Sequence, residues 1–278
     1  MKLITFNQNR IGTTNGTEVY DLSMRLGFSD IREALSDMEA SKSAMSGPAD
    51  HMFDDVALEI PITNPTRIYC IGVNYMNRNE EYKDGSNAPQ YPSVFVRNPR
   101  SFVAHNQALE IPRESEQLDY EGEIVLVIGK KGRRIKQANA MDHVAGLTIM
   151  NEGTIRDWVR HGKFNVTPGK NWDRSGGIGP WIETDLSGID VTDMKLETHV
   201  NGDLRQSDTT ASMAFPFTRI IEYLSTFGTL ETGDLIATGT PTGAGARFDP
   251  PIWLRSGDEV KVSVQGVGML RNTVKNEA

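Results

Sequence analysis

Apolar residues along this chain fall mostly in short runs bounded by Gly, Pro, Asn and Asp, the punctuation of strands rather than of long helices. The pattern predicts strands over 67–73, 93–97, 120–128, 144–150, 196–200, 235–238 and 260–264. Two stretches carry the helical period instead: 154–161, and 217–227 with Ile220, Ile221 and Leu224 on one face. Nearer the start, 2–6 reads as a short strand, Asn15-Gly16 as a turn and 18–22 as a returning strand. Ile31, Leu35 and Met38 space a helix over 30–42, and the polar stretch 41–50 reads as a loop. The expected fold class is mainly β with few helices (α+β), closed or rolled. A small N-terminal module over 1–62 precedes the main domain over 63–278.

Composition narrows the function classes. The 278 residues are 38% hydrophobic and 24% charged, an ordinary globular mixture for one large domain with an appendage. A formal charge of −8 argues against nucleic acid as a partner. The basic run from Lys130 to Lys136 follows an apolar strand and contains Gly132, which suits a solvated hairpin or loop. No stretch has 18 uninterrupted apolar residues and the first residues lack a secretion pattern, so no membrane partner and a cytoplasmic location are expected. The single cysteine, Cys70, excludes an internal disulfide and reads as a buried structural thiol. Asn15-Gly16-Thr17 fits a glycosylation acceptor on paper and is more simply a turn.

The chemistry begins with carboxylates in an odd place. Ile124 to Ile128 is a continuous apolar run, the mark of a strand buried on both faces, and Glu121 and Glu123 stand at its head. Alternation puts both on one face with Val125 and Val127, their Cα atoms ~6.6 Å apart. Two like charges entering a core are unfavourable unless compensated, so either a hard divalent cation binds them or this strand end is solvated. Glu152 ends the 144–150 strand ahead of Arg156; it is either a third ligand or an acidic residue favoured at a helix start.

Taken in order, several motifs resemble the fumarylacetoacetate hydrolase superfamily. They are Ile71-Gly72-Val73-Asn74-Tyr75, Asp119-Tyr120-Glu121-Gly122-Glu123, the run from Val144 to Glu152 followed by Arg156-Asp157, Lys170 before Gly179-Pro180, Asn201-Gly202, the run from Gly233 to Gly243, and Gly257-Asp258 before Arg271 to Val274. The resemblance spans about Ile68 to Val274. Within the family the chain looks like a small bacterial-type acylpyruvate hydrolase or 2-hydroxyhepta-2,4-diene-1,7-dioate isomerase-like member.

The resemblance implies a mixed β-roll domain, a homodimer and a small oxo-acid substrate. It implies Mg2+, with Mn2+ or Ca2+ as substitutes, held by Glu121, Glu123 and Glu152, where glutamate replaces the family's usual aspartate at 152. Lys170 and Arg156 take catalytic positions, and Thr240 and Tyr75 substrate-binding ones. Arg156 pairs with a substrate carboxylate or with a structural partner. Many small hydrolases of the family carry a lid histidine and glutamate that activate water. Here Glu81 is kept, but Arg78 stands in the histidine position and cannot act as an ordinary base. Glu81 alone, His161 and His105 remain candidate bases, and Arg78 could instead bind a second substrate carboxylate.

The implied activity is hydrolysis of a C–C bond in a 2,4-dioxo acid: an acylpyruvate, a fumarylacetoacetate-like compound or a 2,4-diketo-3-deoxy sugar acid. The alternative keeps the metal-stabilised enolate but carries out isomerisation, tautomerisation, hydration or decarboxylation of a 2-oxo (di)acid, chemistry that does not demand an activated water. A third possibility is a protein that binds oxo-acids without turnover.

Overall fold

The run Ile124–Ile128 lacks a polar face because the strand carrying it, Gly122–Ile128, is buried along its whole length. Ile124, Leu126 and Ile128 pack on one side against Leu196, Val260, Val262 and Leu270 of a second sheet. Val125 and Val127 pack on the other side with Met150, Ile178, Leu235 and Cys70, and with Ile31, Ala34 and Leu35 of the N-terminal helices. Burying one such side chain contributes roughly 1.5–3 kcal/mol, so a strand with two apolar faces anchors both layers.

The computed structural model describes residues 1–76, 90–162 and 165–278. Among these, one large mixed sheet has the order His51–Met52, Glu18–Asp21, Arg10–Thr14, Lys2–Phe6, Gly176–Glu183, Val144–Asn151, Gly122–Ile128, Leu235–Ala237, Ile68–Gly72 and Ser93–Val96. The short Phe102–Val103 strand pairs with Gly176–Glu183 off this path. The first four strands come from the N-terminal segment and join the rest through antiparallel pairing of Lys2–Phe6 with Gly176–Glu183. The second sheet runs Asp203–Thr209, Lys195–Val200, Glu259–Val264, Gly268–Asn276 and Ala108–Ile111. The mainly β, rolled architecture with few helices matches expectation. The helix Phe217–Phe227 forms on its predicted residues, with Ile220, Ile221 and Leu224 buried. No helix of the described residues is long and apolar enough to cross a membrane.

Two expected helices are corrected. The 30–42 stretch is two short helices, Ile31–Ser36 and Met38–Ser43, the second extending into the expected loop. Asp37 divides them, ending one and capping the other by accepting the Ala40 N–H. The 154–161 stretch is a two-residue strand, Thr154–Ile155, then a single turn, Arg156–Val159. Its β-branched opening pairs with Leu118–Asp119 instead of winding into helix, which delivers Arg156 next to Asp119.

Candidate active site

Strand register brings the acidic residues together. Gly122 pairs with Asn151 in the central antiparallel ladder, so the residues just beyond each strand end, Glu121 and Glu152, meet. Their backbones bond directly, Glu152 N–H to Glu121 C=O at 2.7 Å, and Asn151 Oδ1 accepts the Glu121 N–H at 2.9 Å. Gly122 between the two glutamates has a packing reason. A Cβ there would lie 2.2 Å from Thr198 Oγ1 and 3.0 Å from Val262 on the second sheet. Glu123, one residue on, turns to the same cavity and accepts the Gly239 N–H at 2.8 Å. Gly239 holds φ at +103°, a backbone conformation that suits glycine.

Glu121, Glu123, Glu152, Lys170, Arg156 and Thr240 all line one cavity of about 610 Å3. Lys170 Nζ lies 2.5 Å from Glu121 Oε2 and 3.0 Å from Glu152 Oε2, with all three side chains buried. Arg156 donates from Nε to Asp119 and from a terminal nitrogen to Glu121 Oε1, each at 2.7 Å. Asp119 is fixed in turn by the N–H groups of Tyr120, Gly245 and Ala246. Thr240 Oγ1 accepts from Gln206 Nε2 at 2.8 Å, while Gln206 Oε1 accepts the Gly122 N–H at 2.9 Å. One buried amide thus ties the Thr240 loop to the strand between the glutamates.

The electrostatics follow from burial and crowding. Burial raises the Glu123 carboxyl well above the usual carboxylate range, and the charges of Glu152 and Glu121 raise it further. Burial works to lower Lys170, but Glu121 and Glu152 outweigh it and its pKa ends above the ordinary lysine value. Arg156 behaves alike: Glu121 and Asp119 overcome desolvation and keep it charged. Among the described residues Glu152 Oε1 is buried without a hydrogen-bond partner, and Arg97 Nη1 lies 3.8 Å from it.

The residues fit a hard divalent cation. The donor set is all oxygen, one carboxylate oxygen is orphaned among the described residues, and a second carboxylate is driven toward protonation by burial and then by its like-charged neighbours. Among the described residues no three acidic or histidine side chains already converge as a coordination shell, and Lys170 occupies the space between Glu121 and Glu152.

Other expected positions fall as follows. Tyr75 is buried in the main core rather than among the lining residues. Its hydroxyl has no hydrogen-bond partner among the described residues, and burial and then the Glu123 charge raise its pKa. His161 is exposed and lies against Trp158, ring centroids 4.4 Å apart and tilted by 44°, and half-buried His105 accepts the Arg271 N–H; neither lines the cavity. Arg78 and Glu81 lie outside the described residues.

Three residues of the site carried no assignment from sequence. Arg97 is wholly buried and donates to Gly153 O at 2.9 Å and Ser175 Oγ at 3.0 Å, bracing the turn that carries Glu152. Gln206 hides in a polar edge strand in which it is the buried residue. Asn74 donates to Phe215 O and Thr238 O and accepts from Phe215 N. It thereby pins Val73, a β-branched lining residue held at φ +55°.

Comparison with known proteins agrees with this geometry. A model of the fumarylacetoacetate (FAA) hydrolase C-terminal region matches residues 67–275. The chain is 41% identical over 227 residues to oxaloacetate tautomerase YisK of Bacillus subtilis (strain 168), covering 81% of this chain and 75% of that protein. A probable 2-hydroxyhepta-2,4-diene-1,7-dioate isomerase from Mycobacterium abscessus aligns over 100% of this chain and 98% of its own, with TM-score 0.83 and 33% identity. Maleylpyruvate hydrolase from Sphingobium sp. SYK-6, in complex with manganese(II) ion and pyruvate, aligns over 100% of both chains with TM-score 0.83 and 26% identity.

Proposed function

We propose, for a chain that belongs to the fumarylacetoacetate hydrolase family, that its cavity interconverts the keto and enol forms of a small 2-oxo acid, oxaloacetate foremost. The observation that carries this reading is the make-up of the cavity floor. Two cations, the buried Lys170 and the partly buried Arg156, stand among clustered carboxylates, while none of the chain's five histidines is among the described lining residues. Both reactions move a proton, but enolisation removes one already acidified by the adjacent 2-oxo group and stabilises the resulting charge, whereas hydrolysis needs a base able to activate a water nucleophile. The tautomerase relative supports the same choice.

Glu121, Glu123 and Glu152 would hold the divalent ion, Mg2+ or its substitutes Mn2+ and Ca2+, and the bound ion would polarise the 2-oxo carbonyl. Lys170, kept charged by Glu121 and Glu152, is the donor for the oxygen that gains negative charge, and gives that oxygen its proton. Arg156 uses two nitrogens on Asp119 and Glu121, leaving its other terminal nitrogen for a substrate carboxylate. Gln206 donates to the Thr240 hydroxyl, so the hydroxyl's own hydrogen turns toward the cavity to orient the same group. The protons balance through solvent: the C3–H bond breaks with its proton passing to water, its electron pair forms C2=C3, the 2-oxo oxygen takes the Lys170 proton, and Lys170 is reprotonated from water.

Hydrolysis of a 2,4-dioxo acid is the second reading, supported by the maleylpyruvate hydrolase neighbour. The test is to follow decay of enol oxaloacetate by its ultraviolet absorbance, with Mg2+ or Mn2+ and with chelator, beside acylpyruvate cleavage. Metal-dependent enol decay without cleavage products is expected. Release of a 2-oxo acid plus a second acid, without faster tautomerisation, would favour hydrolysis.

A further inference from the structure

The cavity is larger and more apolar than a four-carbon diacid requires. Its volume of about 610 Å3 lies within the range of pockets that enclose drug-sized ligands. Among the described residues, the charged lining side chains Glu121, Glu123, Glu152, Arg156 and Lys170 are linked to one another on the floor. The wall is aromatic and aliphatic, built from Tyr69, Phe95, Phe227, Val159 and Val166. It begins directly beside the floor, because the Phe95 ring centroid is 5.3 Å from Lys170 Nζ. Tyr69 and Phe227 meet edge to face, 6.4 Å apart at 87°, and Phe227 stays 54% exposed at the cavity edge. A third flat ring can stack or pack edge-on against such a pair, a geometry that gains beyond simple apolar contact.

We propose that the site also enolises 2-oxo acids carrying an aryl group on C3, with the carboxylate and 2-oxo group on the charged floor and the ring against Tyr69, Phe95 and Phe227. The inference rests on the enolising chemistry assigned to the floor above. No reactant beyond solvent is needed: the C3–H bond breaks with its proton passing to water, its electron pair forms C2=C3, and the 2-oxo oxygen takes up the Lys170 proton, which water replaces. The aryl group conjugates with the new double bond, so the product is flat and presents its faces to the wall.

The experiment compares phenylpyruvate, oxaloacetate and 4-methyl-2-oxopentanoate with the Mn2+-loaded full chain. Enol absorbance and deuterium incorporation at C3 in heavy water are both read. The expected kcat/KM for phenylpyruvate is within about tenfold of oxaloacetate and at least about tenfold above the branched alkyl acid. Phe227→Ala is expected to lower the phenylpyruvate-to-oxaloacetate ratio about tenfold, with Phe227→Tyr restoring it. Oxaloacetate turnover without phenylpyruvate turnover overturns the inference and leaves the proposed function standing. Equal use of the alkyl acid, or a ratio unmoved by Phe227→Ala, also overturns it. Inactivity toward all three overturns the proposed function instead.

Discussion

Lys170 and Glu121 are in direct ionic contact, Nζ to Oε2 at 2.5 Å, with both side chains buried on the cavity floor. Breaking a buried pair by removing one partner leaves an uncompensated charge, a loss of about 3–5 kcal/mol. Lys170→Met is therefore expected to destabilise the chelator-treated protein by that amount in urea unfolding. It also removes the cation that competes for Glu121 and Glu152, so the thermal shift on adding Mn2+ should grow. Tautomerase turnover should fall roughly 100-fold. A variant with a smaller Mn2+ shift and unchanged turnover would show that Lys170 serves packing alone.

Arg97 acts on Glu152 from behind, 3.8 Å from the orphaned Oε1, while holding the Gly153 carbonyl and Ser175. Arg97→Met should lose about 3–5 kcal/mol of stability, because Glu152 then faces Lys170 alone and the Gly153 carbonyl loses its donor. Arg97→Lys keeps the charge without the planar fork and should recover part of the loss. Mn2+ titration by calorimetry provides the second readout: weaker binding in Arg97→Met than in Arg97→Lys is expected, and equal affinities would confine Arg97 to folding.

Much of this floor was legible in the sequence, and the limits have physical causes. A double-faced apolar run headed by two glutamates is an anomaly that the residues alone disclose, and Glu121, Glu123, Glu152, Lys170, Arg156 and Thr240 do share one cavity. Arg97 and Gln206 left no such mark. A charged residue at a strand end and an amide in a polar edge strand look solvated until the second sheet and the Ser101 and Ser175 hydroxyls are in place. The strand Gly176–Glu183 escaped because glycines and Pro180 break its apolar pattern; Gly177 is needed where a Cβ would meet Asn272 at 2.2 Å. Gly268–Asn276 escaped because buried Asn272 interrupts the alternation of Leu270 and Val274. Arg156 reached the cavity by strand pairing rather than by a helical turn, a tertiary effect that local spacing cannot report.

Glu123 sets a pH dependence. Its folded pKa is raised above the unfolded carboxylate value, first by burial and then by Glu152 and Glu121. The sign follows: the stability tied to its protonated form is complete below the unfolded pKa of about 4.3 and is lost as pH rises through the folded pKa. Chelator-treated Glu123→Gln should therefore match the parent in mild acid and exceed it at neutral and alkaline pH in thermal unfolding. Added Mn2+ should stabilise the variant less than the parent. A variant as pH-sensitive as the parent would rule out Glu123 as the source.

His105 works in the opposite direction and away from the cavity. Burial, with the Arg271 charge adding, pushes its pKa down from 6.5 to about 4, and its Nδ1 accepts the Arg271 N–H. A depressed folded pKa gives stability that is present above 6.5 and lost as pH falls toward 4. His105→Asn places an oxygen near the Nδ1 position without a proton to gain. It should retain on the order of 2 kcal/mol more stability than the parent at pH near 4, and little more at pH 8, by urea unfolding at each pH.

Gly122 tests whether sheet packing sets the carboxylates. An added methyl would meet Thr198 Oγ1 at 2.2 Å and Val262 Cγ1 at 3.0 Å, pushing the glutamate-bearing strand away from the second sheet. Overpacking of this kind costs about 1–3 kcal/mol, and here it falls between two proposed metal ligands. Gly122→Ala should lose stability and Mn2+ affinity together. Among the described residues Thr198 Oγ1 is buried without a hydrogen-bond partner, so Thr198→Ala removes the closest clash without breaking a bond seen there. Combined with Gly122→Ala it should recover most of both losses, a coupling that a double-mutant cycle measures directly. Recovery of stability without recovery of Mn2+ affinity would mean that the strand's seat on the second sheet does not set the positions of Glu121 and Glu123.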